Sequence, residues 1–346
     1  MQQLIEQGNF LALSRTQPEL FNTPHHFSLE NNTQVFIGEA GIIAFTPEKS
    51  VSQTSKHIVL SCGVHGNETA PIEICDDLVR QILTGEITLA HRVLFLFGNL
   101  PAMDIAERFV EENMNRLFSG AHSAGEGCNN DERRRAKALE DAVCDFFSAA
   151  CDGEGKYHYD LHTAIRASKN EKFAVYPYLH GRNHSKGQLA FLAACGVKTI
   201  LLSESPTTTF SYFSSHQHQA HAFTVELGKV QPFGHNDMTR FADARDALTA
   251  LITLQTFAPE VDMDSLDIYR VNQVINKQQE DFKLHFDDDT PNFTDYAKGT
   301  VLASESGKTY VAEQDGEAIV FPNAKVTIGQ RAMLTVVPTQ LENLDV

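Results

Sequence analysis

The chain has 346 residues, of which 45 are Asp or Glu and 28 are Lys or Arg, for a formal charge of −17; 42 % of residues are hydrophobic and 21 % charged. That make-up is ordinary for a globular protein with one large domain or two moderate ones, and its negative excess argues against nucleic acid or an anionic membrane as a partner. No apolar run is long enough to span a bilayer, and the start "MQQLIEQGNFLALSRTQPEL" has neither the basic end nor the apolar core of a signal peptide, so a cytoplasmic location is expected.

In chain order, "TQVFIG" (33–38) and "GIIAFT" (41–46) predict an opening hairpin, and "HIVLSC" (57–62) a buried strand. "GVHGNETAP" (63–71) then makes a tight turn into "PIEICDDLVRQIL" (71–83), whose Ile72, Cys75, Leu78, Val79 and Ile82 fall on one helix face. "RVLFLF" (92–97) is a further strand. A helix over 132–151 carries Ala136, Leu139, Val143, Phe146 and Ala150 on one side, and its opening "ERRRAK" (132–137) reads as a solvated helix end. Four more strands follow: "YHYDLH" (157–162), "KFAVYP" (172–177), "KTILLS" (198–203) and "AFTVELG" (222–228). "HQHQAH" (216–221), with His216, His218 and His221, reads as a polar loop into the last of these, with contact to a substrate preferred over a second metal site.

Alternating strands and helices imply a parallel or mixed sheet covered on both faces, with sites at the carboxyl ends of its strands. After about residue 255 the pattern changes to short β-like runs between Asp, Gly and Asn turns. The expected division is a catalytic α/β domain over 1–255 and an all-β domain over 256–346. The six cysteines (Cys62, Cys75, Cys128, Cys144, Cys151 and Cys195) are scattered without a CxxC pair and read as structural thiols. Neither a GxGxxG or P-loop pattern nor a GxSxG elbow is found, which excludes nucleotide-loop and serine-hydrolase chemistry.

His65 and Glu68 alone could be a surface histidine and an acid at a helix start. A third group changes the weighing. "DLHT" puts Asp160 and His162 on one face of a strand end, and two imidazoles with one carboxylate form the His₂Glu set that holds zinc with one position open for water. A structural zinc site would more often be four-coordinate and rich in cysteine, so the open set points to catalysis. Such a site needs a base for its water. Glu226, a carboxylate in an otherwise apolar strand, is the candidate, unless that strand is an edge with Glu226 in solvent. Asp160 reads as a partner that orients His162. In "ERFVEENMNRLF" (107–118), Arg108, Asn115 and Arg116 offer groups suited to a carboxylate, though the segment alone would read as surface charges on a helix and loop.

Together "GVHGNETAP", "NMNRLF", "DLHT" and "TVELG" resemble the zinc carboxypeptidase superfamily, and within it the succinylglutamate desuccinylase and aspartoacylase branch; "ELGKVQPFGHND" and "FPNAKVTIGQRA" add to the resemblance over nearly the whole chain. It implies an α/β/α zinc-carboxypeptidase-like domain with a mixed central sheet, plus a smaller C-terminal β domain that narrows the cleft. It implies one Zn²⁺ on His65, Glu68 and His162, with Glu226 as base and acid. By the same resemblance Asn115 and Arg116 bind a substrate carboxylate, and Arg108 polarises the scissile carbonyl or its oxyanion. The implied reaction is hydrolysis of N-succinyl-L-glutamate to succinate and L-glutamate, the last step of arginine breakdown by the succinyl route. Three carboxylates on that substrate make Arg166 and Lys229 further candidate anchors, and Tyr310 a residue that could reach over the cleft. Alternatives are deacylation of N-acetylaspartate or another acyl amino acid, a carboxypeptidase acting on peptides, and a non-catalytic metal-binding protein on the same scaffold. The partner expected is a small acyl amino acid; a homo-oligomer is neither required nor excluded.

Overall fold

The computed structural model describes residues 2–48, 55–341 and 344–345. Its strands run β1 (His25–Ser28), β2 (Gln34–Glu39), β3 (Ile42–Thr46), β4 (His57–Cys62), β5 (Arg92–Phe97), β6 (Lys156–Ala164), β7 (Phe173–Tyr176), β8 (His184–Ser185), β9 (Thr199–Leu202) and β10 (His221–Lys229). Then come β11 (Asp267–Asn276), β12 (Lys283–Leu284), β13 (Thr294–Tyr296), β14 (Val301–Glu305), β15 (Lys308–Val311), β16 (Glu317–Val320), β17 (Arg331–Pro338) and β18 (Leu344–Asp345). Thirteen of them form one mixed sheet in the order β1-β2-β3-β5-β4-β6-β10-β7-β9-β11-β17-β16-β13. The run β5-β4-β6-β10 is parallel throughout.

The continuous apolar runs are explained by helices on both faces. Ile58, Leu60 and Cys62 of β4 and Val93, Phe95 and Phe97 of β5 enter one core, together with Ile72, Cys75, Leu78, Val79 and Ile82 of the helix Thr69–Leu83. The alternate residues Val59, Leu94 and Leu96 enter a second core with Ala136, Leu139 and Val143 of the helix Asp131–Ser148 and with Phe210. Period-2 alternation thus feeds two cores at once, leaving no solvent-exposed face on β4.

The C-terminal region is all β but is not separated from the main sheet. The first residues of β11 pair parallel with β9, while Tyr269–Asn276 pair antiparallel with β17, so one strand belongs to both ladders. A small sheet β12-β14-β15 closes a third core of Ile275, Phe282, Leu302, Tyr310 and Met333. No helix among the described residues is long and apolar enough to cross a membrane. All six cysteines are free thiols.

The solvated helix end expected at "ERRRAK" is instead an anchor. The buried Glu132 carboxylate accepts from the Asn99 side chain and from the N–H groups of Val110, Glu111 and Glu112. Arg133 is paired with Glu112, and Arg135 donates to the carbonyls of Phe97 and Gly98 and pairs with Glu39. The charge run is spent on fastening the loop after β5, which carries Arg108, Asn115 and Arg116.

Candidate metal centre and active site

The carboxyl ends of β4, β5, β6 and β10 converge on one place. Register explains the meeting of two residues far apart in sequence: Glu226 of β10 lies beside His162 of β6, and Asp160 beside Ser61 of β4. After β4 the chain turns at Gly63, whose φ of +64° favours glycine. Gly66 is needed for closeness rather than for its φ, since a Cβ there would lie 2.3 Å from the Ala102 carbonyl carbon and 2.4 Å from Met103 N. The two glycines let the turn press against the segment after β5 and bring His65 and Glu68 inward, both buried at 3 % and 1 % exposure.

The structure brings His65, Glu68 and His162 together, with one donor atom from each within 4.8 Å of the others, an arrangement that could hold a metal ion. Both histidines turn Nδ1 toward the Glu68 carboxylate: His65 Nδ1 is 2.8 Å from Oε1 and His162 Nδ1 is 2.8 Å from Oε2. Their Nε2 atoms are held from behind, His65 by Asn113 Oδ1 at 3.0 Å and His162 by Asp160 Oδ2 at 2.8 Å. That fixes the ring orientation and leaves Nδ1 of each as the ligand atom. The donor set fits a cation: His65 Nδ1 is buried, and its 2.8 Å approach to Glu68 Oε1 lacks hydrogen-bond geometry, as two ligand atoms turned toward a shared ion would. Charge agrees. Although burial opposes it, Asp160 and Glu68 push the His162 pKa well above its usual value, so the two acids hold a positive charge at this spot.

A buried chain extends behind the site. Ser61 Oγ donates to Asp160 Oδ1 at 2.6 Å, His158 Nε2 lies 2.8 Å from Ser61 Oγ, and His158 Nδ1 is 2.7 Å from Ser214 Oγ. Burial lowers the His158 pKa to about 4, so this imidazole is neutral and can donate at Nε2 while accepting at Nδ1.

Glu226 is buried at 6 % exposure, not on an edge, because β10 lies between β6 and β7. Its Oε2 has no hydrogen-bond partner, and burial with the Glu68 charge raises its pKa to about 7. Arg108 Nη1 donates to Glu68 Oε1 at 2.6 Å. Asn115 Oδ1 accepts from Phe210 N–H at 3.1 Å, which leaves its Nδ2 amine to point elsewhere as a donor. Arg116 is partly accessible and donates to the Asn115 carbonyl at 2.7 Å.

The remaining expectations fare differently. Arg166 donates to the carbonyls of Thr290 and Pro322 at 2.9 and 3.2 Å, so it braces the end of β6 against the C-terminal region. Lys229 is exposed at the end of β10, past an irregularity in the ladder. Tyr310 does not reach over a cleft: its side chain is buried in the third core and its hydroxyl donates to Glu305 at 2.6 Å. The "polar loop" at 216–221 is the end of a helix, Phe210–His218, and the start of β10. His216 stacks on Tyr212 and His218 meets Cys144, while five strand residues at about 3.3 Å each separate His221 from Glu226 by about 16 Å. None of the three is in the group gathered at His65, Glu68 and His162. Asn113, Glu132 and Arg331 escaped the sequence reading; the signal for Asn113 was its place in the same motif as Asn115 and Arg116.

Fold and site together define an α/β protein with a β extension and a candidate metal centre, and comparison makes this specific. Residues 54–252 match the succinylglutamate desuccinylase/aspartoacylase catalytic domain and residues 264–339 the AstE/AspA barrel-sandwich hybrid domain. The chain belongs to the succinylglutamate desuccinylase/aspartoacylase family. It is 60 % identical over 342 residues to the succinylglutamate desuccinylase of Pseudoalteromonas atlantica, covering 98 % of this chain and 97 % of that one. The structure of a succinylglutamate desuccinylase from Vibrio parahaemolyticus is similar at TM-score 0.86 and 35 % identity, covering 96 % and 95 % of the two chains. That from Chromobacterium violaceum gives TM-score 0.83 at 38 % identity, covering 96 % and 98 %.

Proposed function

We propose that this protein is a zinc-dependent hydrolase that converts N-succinyl-L-glutamate and water to succinate and L-glutamate, in the cytoplasm, as the closing step of arginine breakdown by the succinyl route. The observation that carries this reading is the meeting of His65, Glu68 and His162 beside a buried, unpartnered Glu226 in a family whose relatives bear that activity in their names. His65 and His162 through Nδ1, with a Glu68 oxygen, would hold the ion. Zinc bound there would supply Lewis acidity and a water that ionises near neutral pH.

The chain's own residues do the rest. Asn113 and Asp160 keep the two imidazoles in the tautomer that offers Nδ1. Glu226 takes the proton of the attacking water and later returns it to the departing α-amine; a group buried and poised near neutrality serves both directions. Arg108 supplies positive charge for the carbonyl oxygen as it becomes an oxyanion. Asn115 Nδ2 and Arg116 hold a substrate carboxylate, and the catalytic unit lies within 1–255, with 256–346 covering it. Arg166 and Lys229 are not needed as anchors in this account.

The test is release of L-glutamate from N-succinyl-L-glutamate by purified protein, with N-acetyl-L-aspartate in parallel and a chelator control. Chelator-sensitive turnover of the succinyl substrate, restored by zinc, is expected. Turnover of the acetyl substrate in its place would move the protein to the sister activity, and turnover of neither would overturn the reading.

A further inference from the structure

Three neighbouring strands of the main sheet place His162, Glu226 and Phe173 in one row. Glu226 of β10 is the register partner of His162 in the parallel ladder with β6, and of Phe173 in the antiparallel ladder with β7. Directly opposite residues of an antiparallel pair share a face, with Cβ atoms about 4.5–5.5 Å apart. The proposed base therefore has a candidate ligand on one side and a fully buried aromatic ring on the other.

That ring is held from the far end of the chain. Phe293 meets Phe173 edge-on with ring centres 5.1 Å apart, and Phe321 meets it at 5.5 Å with the planes tilted by 45°. Leu201, Val271, Val320 and Leu334 complete this core. Both C-terminal aromatics adopt a left-handed backbone, with φ +62° at Phe293 and +54° at Phe321. Aromatic residues rarely take that conformation, which persists only where the surroundings impose it and gathers at functional sites.

One buried residue serves both strained positions. Asn292 immediately precedes Phe293, and its Oδ1 accepts from Phe321 N–H at 2.9 Å. Its main chain is fastened to the loop after β6: its N–H donates to the Ala167 carbonyl at 2.8 Å and its carbonyl accepts from Lys169 N–H at 3.0 Å. Arg166, on the same loop, holds the carbonyls of Thr290 and Pro322. A glycine at 293 or 321 would give the same backbone without strain. What it would lose is the pair of rings on Phe173.

We propose that Phe293 and Phe321 are positioning residues for the reaction: through Phe173 they form an apolar wall that seats Glu226, and Asn292 sets both rings in place. This deepens the reading above and rests on it for the role of Glu226. A carboxylate walled on that side is turned toward the candidate ligands rather than toward solvent. The C-terminal β region thereby shapes the base without touching the substrate.

The test is a cycle between Phe321→Ala and Glu226→Gln; Phe321 is chosen because it is the half-buried member of the pair. Phe321→Ala alone lowers kcat by about 10- to 100-fold with KM within about threefold, as a displaced catalytic group does. Phe321→Tyr, which keeps the ring, stays within about threefold of the unaltered protein. In the Glu226→Gln background the same truncation costs less than about twofold, because no base is left to displace. Equal losses in the two backgrounds, or full activity in Phe321→Ala, overturn the wall. Circular dichroism checks folding, and Phe321→Leu carries the cycle if the Ala variant fails it. Amide hydrogen exchange in the purified protein separates the two proposals. Exchange over residues 222–229 at least about fivefold faster in Phe321→Ala, and unaltered in Phe321→Tyr, supports the wall even if succinylglutamate is never turned over. Unaltered exchange there in Phe321→Ala overturns it.

Discussion

Replacing Glu132 by Gln removes one oxygen from a carboxylate that has four donors. Oε1 takes the Asn99 amine and Val110 N–H, at 3.0 and 2.5 Å, and Oε2 takes Glu111 and Glu112 N–H, both at 3.0 Å. Whichever oxygen becomes the Gln amine, two donors are left facing another donor. The side chain is 3 % exposed, so water does not readily substitute. At about 1–3 kcal/mol per buried unsatisfied group the cost is roughly 2–6 kcal/mol, a large part of the 5–15 kcal/mol typical of a fold. The loss should be local first, because the donors lie on the segment that carries Arg108, Asn113, Asn115 and Arg116. Amide hydrogen exchange over residues 108–116 is the direct assay. We expect faster exchange there, little change in β4 and β6, and a rise in KM larger than the fall in kcat. Unaltered protection over 108–116 with a stability change under about 0.5 kcal/mol would refute the anchoring role.

Glu226→Gln should lower kcat by about 10²–10⁴ with metal content, measured by elemental analysis, unchanged; lost metal would mean that Glu226 supports the ligands instead. Gly66→Ala should cost several kcal/mol and weaken metal binding, since the new methyl meets main-chain atoms of Ala102 and Met103 that cannot swing aside; a competition titration with a chromophoric chelator reads the affinity. Stability should fall as pH drops from about 6.5 toward 4. His158 takes its proton near 6.5 when unfolded but only near 4 when folded, so the unfolded state binds more protons in that window, by roughly 3 kcal/mol in all. Urea midpoints across pH 4–8 check this, and His158→Gln should flatten the slope.

The strands and the two long helices were legible because apolar periodicity is local: β4 and β5 begin and end where the runs "HIVLSC" and "RVLFLF" do. The sharing of β11 between two ladders was not legible, since nothing local in "DIYRVNQVIN" says that its first half pairs with β9 and its second with β17. The candidate ligands were readable because their residue types are chemically unusual at strand ends. Glu132 and Arg331 were hidden for the opposite reason. A charged residue at a helix start or a strand start is ordinary, and only the fold reveals that one is ringed by N–H donors and that the other has no acid partner among the described residues.

That contrast separates two jobs within the site. The groups that would meet the ion stand on strand ends and are fixed by buried partners: Asn113 behind His65, and Asp160 backed by Ser61 behind His162. The chain from Ser61 through His158 to Ser214 ties this assembly to the second core, where Phe210 lies edge-on to the His158 ring. The cations that would meet the substrate, Arg108 and Arg116, stand instead on the loop after β5. Altering a cation should therefore change which substrate is accepted while leaving the ion in place, whereas altering Asp160 or Ser61 should change metal affinity for every substrate alike. Asp160→Asn tests the second half: it keeps the shape but replaces a charged acceptor of the His162 Nε2–H, and a loss of 10–100-fold in metal affinity with unchanged substrate preference is the expected result. Unchanged affinity would mean that Glu68 alone orients His162.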